Sequence, residues 1–440
     1  MAAHWLTGLQ LLAGPGQAAR GGEALIGGDG VLLALDQQAG EQARALGLQP
    51  QRAEGMLLAP ALVDPHSVLE VPFAGRAETL ASLAAAAAAS GYGTVGLLPW
   101  GKPWRDSAEL LQLHWPEPLQ LGLWGSFASR DRNADGRGDG KANGSSGLAP
   151  HADQLAAGAL GLASGPALPP LELLERGLAL GEWGDRPLLL APRLPQLGAG
   201  GFVRESVHTL RAGWPPDPVA SEVVPLELLR SLLRQRPAAR PVLINLSTAA
   251  GVEVLRQWPV PGRPQATVSW WHLLADASRL NLVDEGWRLE PSLGGPHDRE
   301  ALIAALAEGL ITAVAVHHLA LDSEEQLLPL DQRRAGVAGH GGPLLPLLWQ
   351  ELVRQRGWRA EQLWQVLCWQ PARLLGLAEP GLEAGGRRWL LFDPGGDSAS
   401  HDPADAQPRG SLAANHPWRG WPAAGRIRAS GLSAPAQWQL

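Results

Sequence analysis

Cysteine is nearly absent from this chain: Cys368 is the only one in 440 residues. That excludes an intramolecular disulfide and a cysteine zinc cluster. Lysine is almost as scarce, with Lys102 and Lys141 against 34 arginines, and there is one tyrosine beside 19 tryptophans. The skew is compositional and carries no function. No uninterrupted apolar run reaches membrane-spanning length. The longest, Leu80 to Leu98, is broken by Ser82, Ser90, Gly91, Gly93 and Gly96 and reads as a helix, a turn and a strand. Excess positive charge is missing too: the formal net charge is -7, so neither nucleic acid nor an anionic membrane is an expected partner. The opening residues Met1-Ala2-Ala3-His4-Trp5 lack the basic region of a secretory leader, and a soluble cytoplasmic protein is the expectation.

What is present is a globular composition, 45% hydrophobic and 18% charged. Residues 5–60 are short apolar runs broken by glycine-rich turns such as Gly27-Gly28-Asp29-Gly30, a β pattern. From about residue 59 the character changes. Strands are expected at 59–64, 94–98, 118–123, 158–163, 187–191, 241–246, 266–271 and 312–317. Helices are expected near 75–90, 105–113, 169–182, 223–235, 248–257, 298–309, 343–356 and 360–377. Eight strands alternating with helices suit a closed α/β barrel. No G-x-G-x-x-G follows the first of them, which removes support for a dinucleotide crevice. After residue 385 the helices stop, and Arg388-Trp389-Leu390-Leu391-Phe392 reads as a strand returning to the N-terminal segment. The expected organisation is a (β/α)8 TIM barrel over 59–384 with a small β-sandwich domain built from 1–58 and 385–440.

Residues 129–147 are rich in Gly, Asp, Asn and Arg. Asp131, Asn133, Asp135, Gly136 and Asp139 follow the opening of a calcium loop, but Ala142 stands where the bidentate glutamate belongs. A surface loop is the simpler reading. Asn143-Gly144-Ser145 matches a glycosylation sequon, without consequence in the absence of secretion. Cys368, flanked by Leu367 and Trp369, reads as a buried inert thiol.

The phrase Ala59-Pro60-Ala61-Leu62-Val63-Asp64-Pro65-His66 sits at the end of the first barrel strand, where barrel active sites lie. It resembles the P-G-L-V-D-x-H-x-H phrase of the dihydroorotase-like cyclic amidohydrolases. The likeness continues in order: Thr79 to Pro99 as first helix and second strand, Asn245-Leu246-Ser247-Thr248 as the H-x-S-T strand end, Asp298 through His318 as the run into D-H-A-P-H, and Asn415-His416-Pro417-Trp418-Arg419-Gly420 as the closing N-x-P-F-x-G. Each phrase alone is weak; their collinearity makes the resemblance specific.

The resemblance implies one or two zinc ions held by histidines and a carboxylate, a substrate-holding Arg and Asn, and a strand-eight Asp that moves the proton. Most of these positions differ here. His66 remains, but Val68 replaces its HxH partner, Glu70 the Arg, Trp100 the Asn, Ser164 or Gly165 the bridging acid, Ala191 and Asn245 two further histidines, and His317 the Asp, followed by the matching His318. Catalytic zinc takes about three protein ligands, and only one family ligand clearly survives. Glu70 would repel the dicarboxylate that an Arg attracts.

A rebuilt site is the alternative: His66, His272 and His317 all fall at strand ends and would suffice for a zinc. Asp64 would either orient the His66 ring or simply end the strand. Trp270-Trp271 and Trp100 are expected to fill the vacated mouth, because packing volume must be filled. Three functions follow. One is a non-catalytic homologue without cofactor, serving as a structural or regulatory partner, with aspartate transcarbamoylase the partner the resemblance suggests. The second is a zinc-dependent hydrolase of another cyclic amide, with His317 as its proton carrier. The third is a working dihydroorotase. Glu70, Trp100, Asn245 and His318 are the expected pocket positions, and a homo-oligomer is compatible with all three.

Overall fold

The computed structural model describes residues 3–130, 145–198, 200–236, 239, 241–280, 287–395, 408–418, 421, 423 and 425–440. The calcium-loop candidates at 131–142, the sequon apart from Ser145, and Arg419-Gly420 of the closing phrase lie outside these residues.

Both ends of the chain build one sheet. Strands His4–Leu11, Arg20–Ile26, Leu32–Leu35, Pro50–Arg52 and Leu57–Pro60 join Trp389–Asp393 and Arg426–Ser430. The returning strand runs antiparallel to Leu57–Pro60, with Leu391 opposite Leu58. Alternating apolar residues give the sheet its own core of Leu6, Leu9, Leu11, Leu58, Trp389 and Leu391. A helix, Asp36–Ala45, lies over it and buries Ala39 and Ala43 against Trp5 and Leu25. This helix departs from the all-β expectation. Its apolar face is made of alanines, so it carries little of the hydrophobic contrast by which an amphipathic helix is recognised.

The predicted strand 59–64 is split. Leu57–Pro60 belongs to the terminal sheet and Leu62–Ser67 begins the barrel, so the handover falls at Ala61. The barrel continues with Tyr92–Leu97, Gln120–Leu123 running on into Gly125–Ser126, Leu162–Ala163, Leu188–Leu190, Pro241–Leu243, Gln265–Ser269 and Ala313–Ala315. Every neighbouring pair is parallel. The third strand changes partner at its middle: Trp124 N–H donates to Leu97 O and Gly125 N–H to Gly161 O, both at 2.9 Å. The ring closes where His317 N–H donates to His66 O (3.1 Å) and Val68 N–H to His318 O (2.7 Å). Its strands are largely buried, as near-continuous apolar runs require, least so the third, where Gln120, Leu121 and Gly122 are only partly covered.

Helices Leu80–Ala89, Leu171–Leu180, Ala220–Arg234, Ala249–Arg256 and Pro296–Ala307 cover the outside. Thr79 and Thr248 cap two of them by accepting the N–H of Ser82 and Gly251. The helix expected near 105–113 shrinks to one turn, Ala108–Leu110. Pro103, Pro116 and Pro118 around it remove donors and force their predecessors out of the helical region. A surface cleft of about 260 Å³, lined by Leu111, Leu113, Leu121, Leu160 and Leu377, remains on that side. Among the described residues no helix is long and apolar enough to cross a membrane.

Candidate functional site at the barrel mouth

The first strand ends in a fully buried run, Asp64-Pro65-His66-Ser67. Asp64 accepts four hydrogen bonds: from His66 N–H (3.3 Å) and Val316 N–H (3.0 Å) at Oδ1, and from Ser67 Oγ (2.5 Å) and His340 Nε2 (3.0 Å) at Oδ2. The carboxylate therefore touches His66 only at its backbone, and the imidazole it orients is that of His340. His318 N–H in turn donates to Ser67 Oγ (2.8 Å). His318 Nδ1 accepts from the N–H groups of Gly339 and His340, both at 3.2 Å, which puts its proton on Nε2, 3.2 Å from Glu78 Oε2. Burial pushes the Glu78 carboxyl up, but His318 and the hydroxyls of Ser411 and Ser82 outweigh it and hold the group below its ordinary range. Ser411 Oγ (2.6 Å) and Leu412 N–H (3.1 Å) donate to Glu78, tying the C-terminal segment to the mouth. Asn415 of the closing phrase accepts from Leu321 N–H and donates to Leu319 O, both at 2.9 Å.

The ring of His66 meets that of His317 across the seam of the barrel. The two Nδ1 atoms are 3.0 Å apart with the rings nearly perpendicular, at 84°. His66 Nε2 lies 2.9 Å from Thr267 Oγ1. Facing nitrogens at this distance share one proton, and burial favours the neutral form of both rings. Burial pushes His66 down to about 4, partly opposed by Asp64, and burial followed by His66 itself holds His317 well below its ordinary range. His317 (φ 47°) and Asn245 (φ 49°) both adopt left-handed backbone at the ends of their strands. Such strain costs on the order of 1 kcal/mol each and clusters at functional sites.

Trp100 closes that mouth. Its Nε1 donates to Ser164 O (2.8 Å), spanning from the second strand to the fourth, and its ring stands edge-on to His317 at 5.6 Å. A cavity of about 20 Å³, lined by Trp100, Ser269, Glu290 and His317 among others, lies there among the described residues. That is room for about one water. The Trp270-Trp271 pair falls in the helix Trp270–Leu274, directly after the seventh strand. Trp270 lies beside Gly339 and Val316, and Trp271 packs on Trp287 and Trp421 (5.4 and 4.8 Å), with the Arg279 guanidinium over Trp421.

The three-histidine site is not assembled. His272 lies on that same helix rather than at a strand end; its Nε2 faces Ser292 O at 3.4 Å. Burial pushes it down to about 4. Val68 and Ala191 are buried aliphatics, and Ser164 Oγ accepts from Ala191 N–H and donates to Gly165 O. Asn245 is held by Thr267, to whose Oγ1 its N–H donates (2.9 Å). Among the described residues no three His, Cys, Asp or Glu side chains converge as a metal requires. The donor set at the family's ligand positions thus does not fit a catalytic zinc.

Glu70 lies at the rim in a salt bridge to Arg334 (2.6 Å) and a second to Lys102 (3.3 Å). Two cations offset the reversed charge, beside a surface basin of about 340 Å³. The serine and threonine of the Asn245-Leu246-Ser247-Thr248 phrase serve structure. Glu222 accepts both their N–H groups (3.0 Å each) and both hydroxyls (2.5 and 2.6 Å). Fully buried Arg204 donates to Ser247 (2.9 Å) and Ser221 (2.6 Å) and pairs with Asp217 at 3.0 Å. Sequence reading missed Glu78, His340, Arg204 and Glu222. The one local sign was His340 inside the glycine-rich run Gly339-His340-Gly341-Gly342. Cys368 is buried, its Sγ donating to Ala61 O, and burial pushes the thiol far up, as expected of an inert group.

No family model matches the sequence. In structure the chain is similar to the L-hydantoinase (dihydropyrimidinase) of Arthrobacter aurescens, at TM-score 0.71 and 19% identity over 98% of this chain and 94% of that one. It is equally similar to a D-hydantoinase from Bacillus sp. AR9, at TM-score 0.72 and 16% identity with the same coverage. These likenesses establish the fold, a TIM barrel with an appended β-sandwich domain. In sequence it is 28% identical to a dihydroorotase of Thermus aquaticus over 90% of both chains. It is 32% identical to a probable dihydroorotase-like protein of Synechocystis over 85% of this chain and 88% of that one. With a collinear set of family phrases on a matching barrel, this chain belongs to the dihydroorotase-like family of cyclic amidohydrolases.

Proposed function

We propose that this protein is a dihydroorotase-like family member that no longer hydrolyses a ring amide and acts as a structural or regulatory partner in pyrimidine synthesis. The observation that carries the reading is the mouth itself. His66 and His317 are spent on each other, and Trp100 bridges to Ser164 where a substrate-holding Asn would stand, leaving about 20 Å³. A site for a small organic substrate usually offers about 300 Å³ or more. Ring hydrolysis also needs a hydroxide generated near pH 7, which in this family a metal supplies. The side chains at the ligand positions are aliphatic, amide or mutually bonded.

The C-terminal segment clasped to the mouth through Ser411, Leu412 and Glu78 supports retention of the fold for a role other than catalysis. Aspartate transcarbamoylase, which works in the same pathway as dihydroorotase, is the partner we propose. The test is interconversion of dihydroorotate and N-carbamoyl-aspartate by the purified protein, with and without added Zn²⁺, followed by copurification with aspartate transcarbamoylase from the native host. We expect no turnover in either condition and a stable complex. Zinc-dependent turnover that disappears in His66→Ala overturns the reading and establishes a rebuilt metal site. Copurification without that enzyme removes the proposed partner.

A further inference from the structure

Three adjacent barrel strands end in side chains whose buried polar atoms have no hydrogen-bond partner. Arg193, three residues past the fifth strand, leaves Nη1 and Nη2 free; Asn245, past the sixth, leaves Nδ2; Ser269, ending the seventh, leaves Oγ. The guanidinium and amide atoms are donors only, and the hydroxyl can donate. Buried polar groups are ordinarily satisfied, and buried charges paired, because burial removes their water. Arg193 meets neither condition on its forked edge. Its Nε donates to Pro166 O (3.1 Å), and its ion pair with Glu290 is long, 3.9 Å, and also made through Nε. The two free Nη atoms form the edge that grips a carboxylate or phosphate through parallel hydrogen bonds.

Arg193 belongs to the mouth rather than to the outer surface. Its charge lowers the proton affinity of both His272 and His317, and Glu290, beside it, lines the mouth cavity together with Ser269 and His317. Glu290 is the half-exposed wall of that cavity, its side chain 41% accessible. The cavity as it stands holds about one water, so an anion site here requires the half-exposed Glu290 side chain to swing outward. The family resemblance puts its substrate-carboxylate clasp elsewhere, at Glu70 and Trp100 on the opposite side of the ring.

We propose that this arc of the mouth is an anion site: a small carboxylate or phosphate group seats on Nη1 and Nη2 of Arg193, takes further hydrogen bonds from Asn245 Nδ2 and Ser269 Oγ, and displaces the Glu290 carboxylate. The site shares Ser269 and Glu290 with the cavity on which the proposed function rests, but its anchor is Arg193, so anion binding and ring hydrolysis are measured separately.

The test is calorimetric titration of the full-length protein with sodium acetate and, separately, with sodium phosphate, against sodium chloride at matched ionic strength. Saturable binding of acetate alone identifies a carboxylate ligand, and of phosphate alone a phosphate-bearing one. In either case Arg193→Gln is expected to weaken binding at least about tenfold, and Glu290→Gln to tighten it several-fold by removing the internal competitor. Absence of saturable binding of both anions overturns the proposal. So does undiminished binding to Arg193→Gln with an unchanged near-ultraviolet spectrum. If Arg193→Gln does not fold, Glu290→Gln decides, because it alters a half-exposed side chain: unchanged or weaker binding there overturns the proposal as well.

Discussion

The two sides of the barrel mouth differ in how their polar groups are satisfied. On the seam between strands one and eight, Asp64 accepts four hydrogen bonds, Ser67 links it to His318, and Glu78 anchors His318 from below. Past strands five to seven, Arg193, Asn245 and Ser269 keep buried polar atoms without partners. The first side bonds mainly to itself, leaving His318 Nε2, 3.2 Å from Glu78, and His340 Nδ1 without a hydrogen bond, while the second leaves the forked edge of a charged guanidinium unbonded. A buried network whose members bond mostly to one another rigidifies a fold, whereas an unsatisfied buried charge costs stability. The first arc is thus expected to carry stability, and the proposed anion site lies in the second.

The contrast is sharpest at Asp64. Asp64→Ala removes the acceptor of four buried donors and leaves His340 unpaired. We expect a loss of about 3–5 kcal/mol in urea-induced unfolding. A loss under about 1 kcal/mol would break the claim that the seam is the stabilising arc. Trp100→Ala tests the boundary between the arcs. Truncating a buried tryptophan costs about 3 kcal/mol where the site cannot collapse. The same variant is expected to admit small aromatic ligands that leave the wild type unchanged in a thermal-shift series.

The buried histidines add a pH dependence whose sign is determined by their shifts. His66 and His272 are pushed down to about 4, below the ordinary unfolded value of about 6.5. As pH falls, the unfolded chain takes up protons before the folded one does. Stability is therefore full above about pH 6.5 and lost as pH falls from there through 4. The loss is on the order of 3 kcal/mol for a group such as His272. Urea midpoints at pH 7.5 and pH 5 check it, and His272→Gln is expected to flatten the slope. A midpoint that rises on acidification contradicts the neutral, proton-sharing description of the seam.

The barrel was legible because its strands are apolar runs at regular spacing with helical patterns between them, and the loss of family ligands was legible because each position counts from a strand end. The helix expected near 105–113 failed because apolar periodicity there competes with flanking prolines, and proline geometry won. The stabilising half of the mouth was legible in Asp64, His66 and His318 but not in their partners. His340 lies 276 residues from Asp64, and nothing local in Glu78 foretells the ring of His318. Such pairs exist only once the ring closes. Conversely, His318, Asn415 and the Ser247-Thr248 pair carried the family resemblance, and each holds strands and segments together. The phrases that survive are the ones that keep the barrel shut.

The smallest expected effect is the most diagnostic, because its sign reverses between the two arcs. Arg193→Met removes a buried guanidinium whose Nη atoms have no partner and replaces it with a flexible apolar side chain of similar length. Burial already pushes the arginine's proton affinity down, with Glu290 opposing only in part. Removing an under-paired buried charge is commonly neutral or favourable, so we expect stability to rise by about 1 kcal/mol in the absence of anions. Asp64→Ala loses stability on the far side of the same ring. A loss of about 2 kcal/mol or more in Arg193→Met would mean that this side chain is satisfied after all, and the two arcs would then differ only in which strands they join.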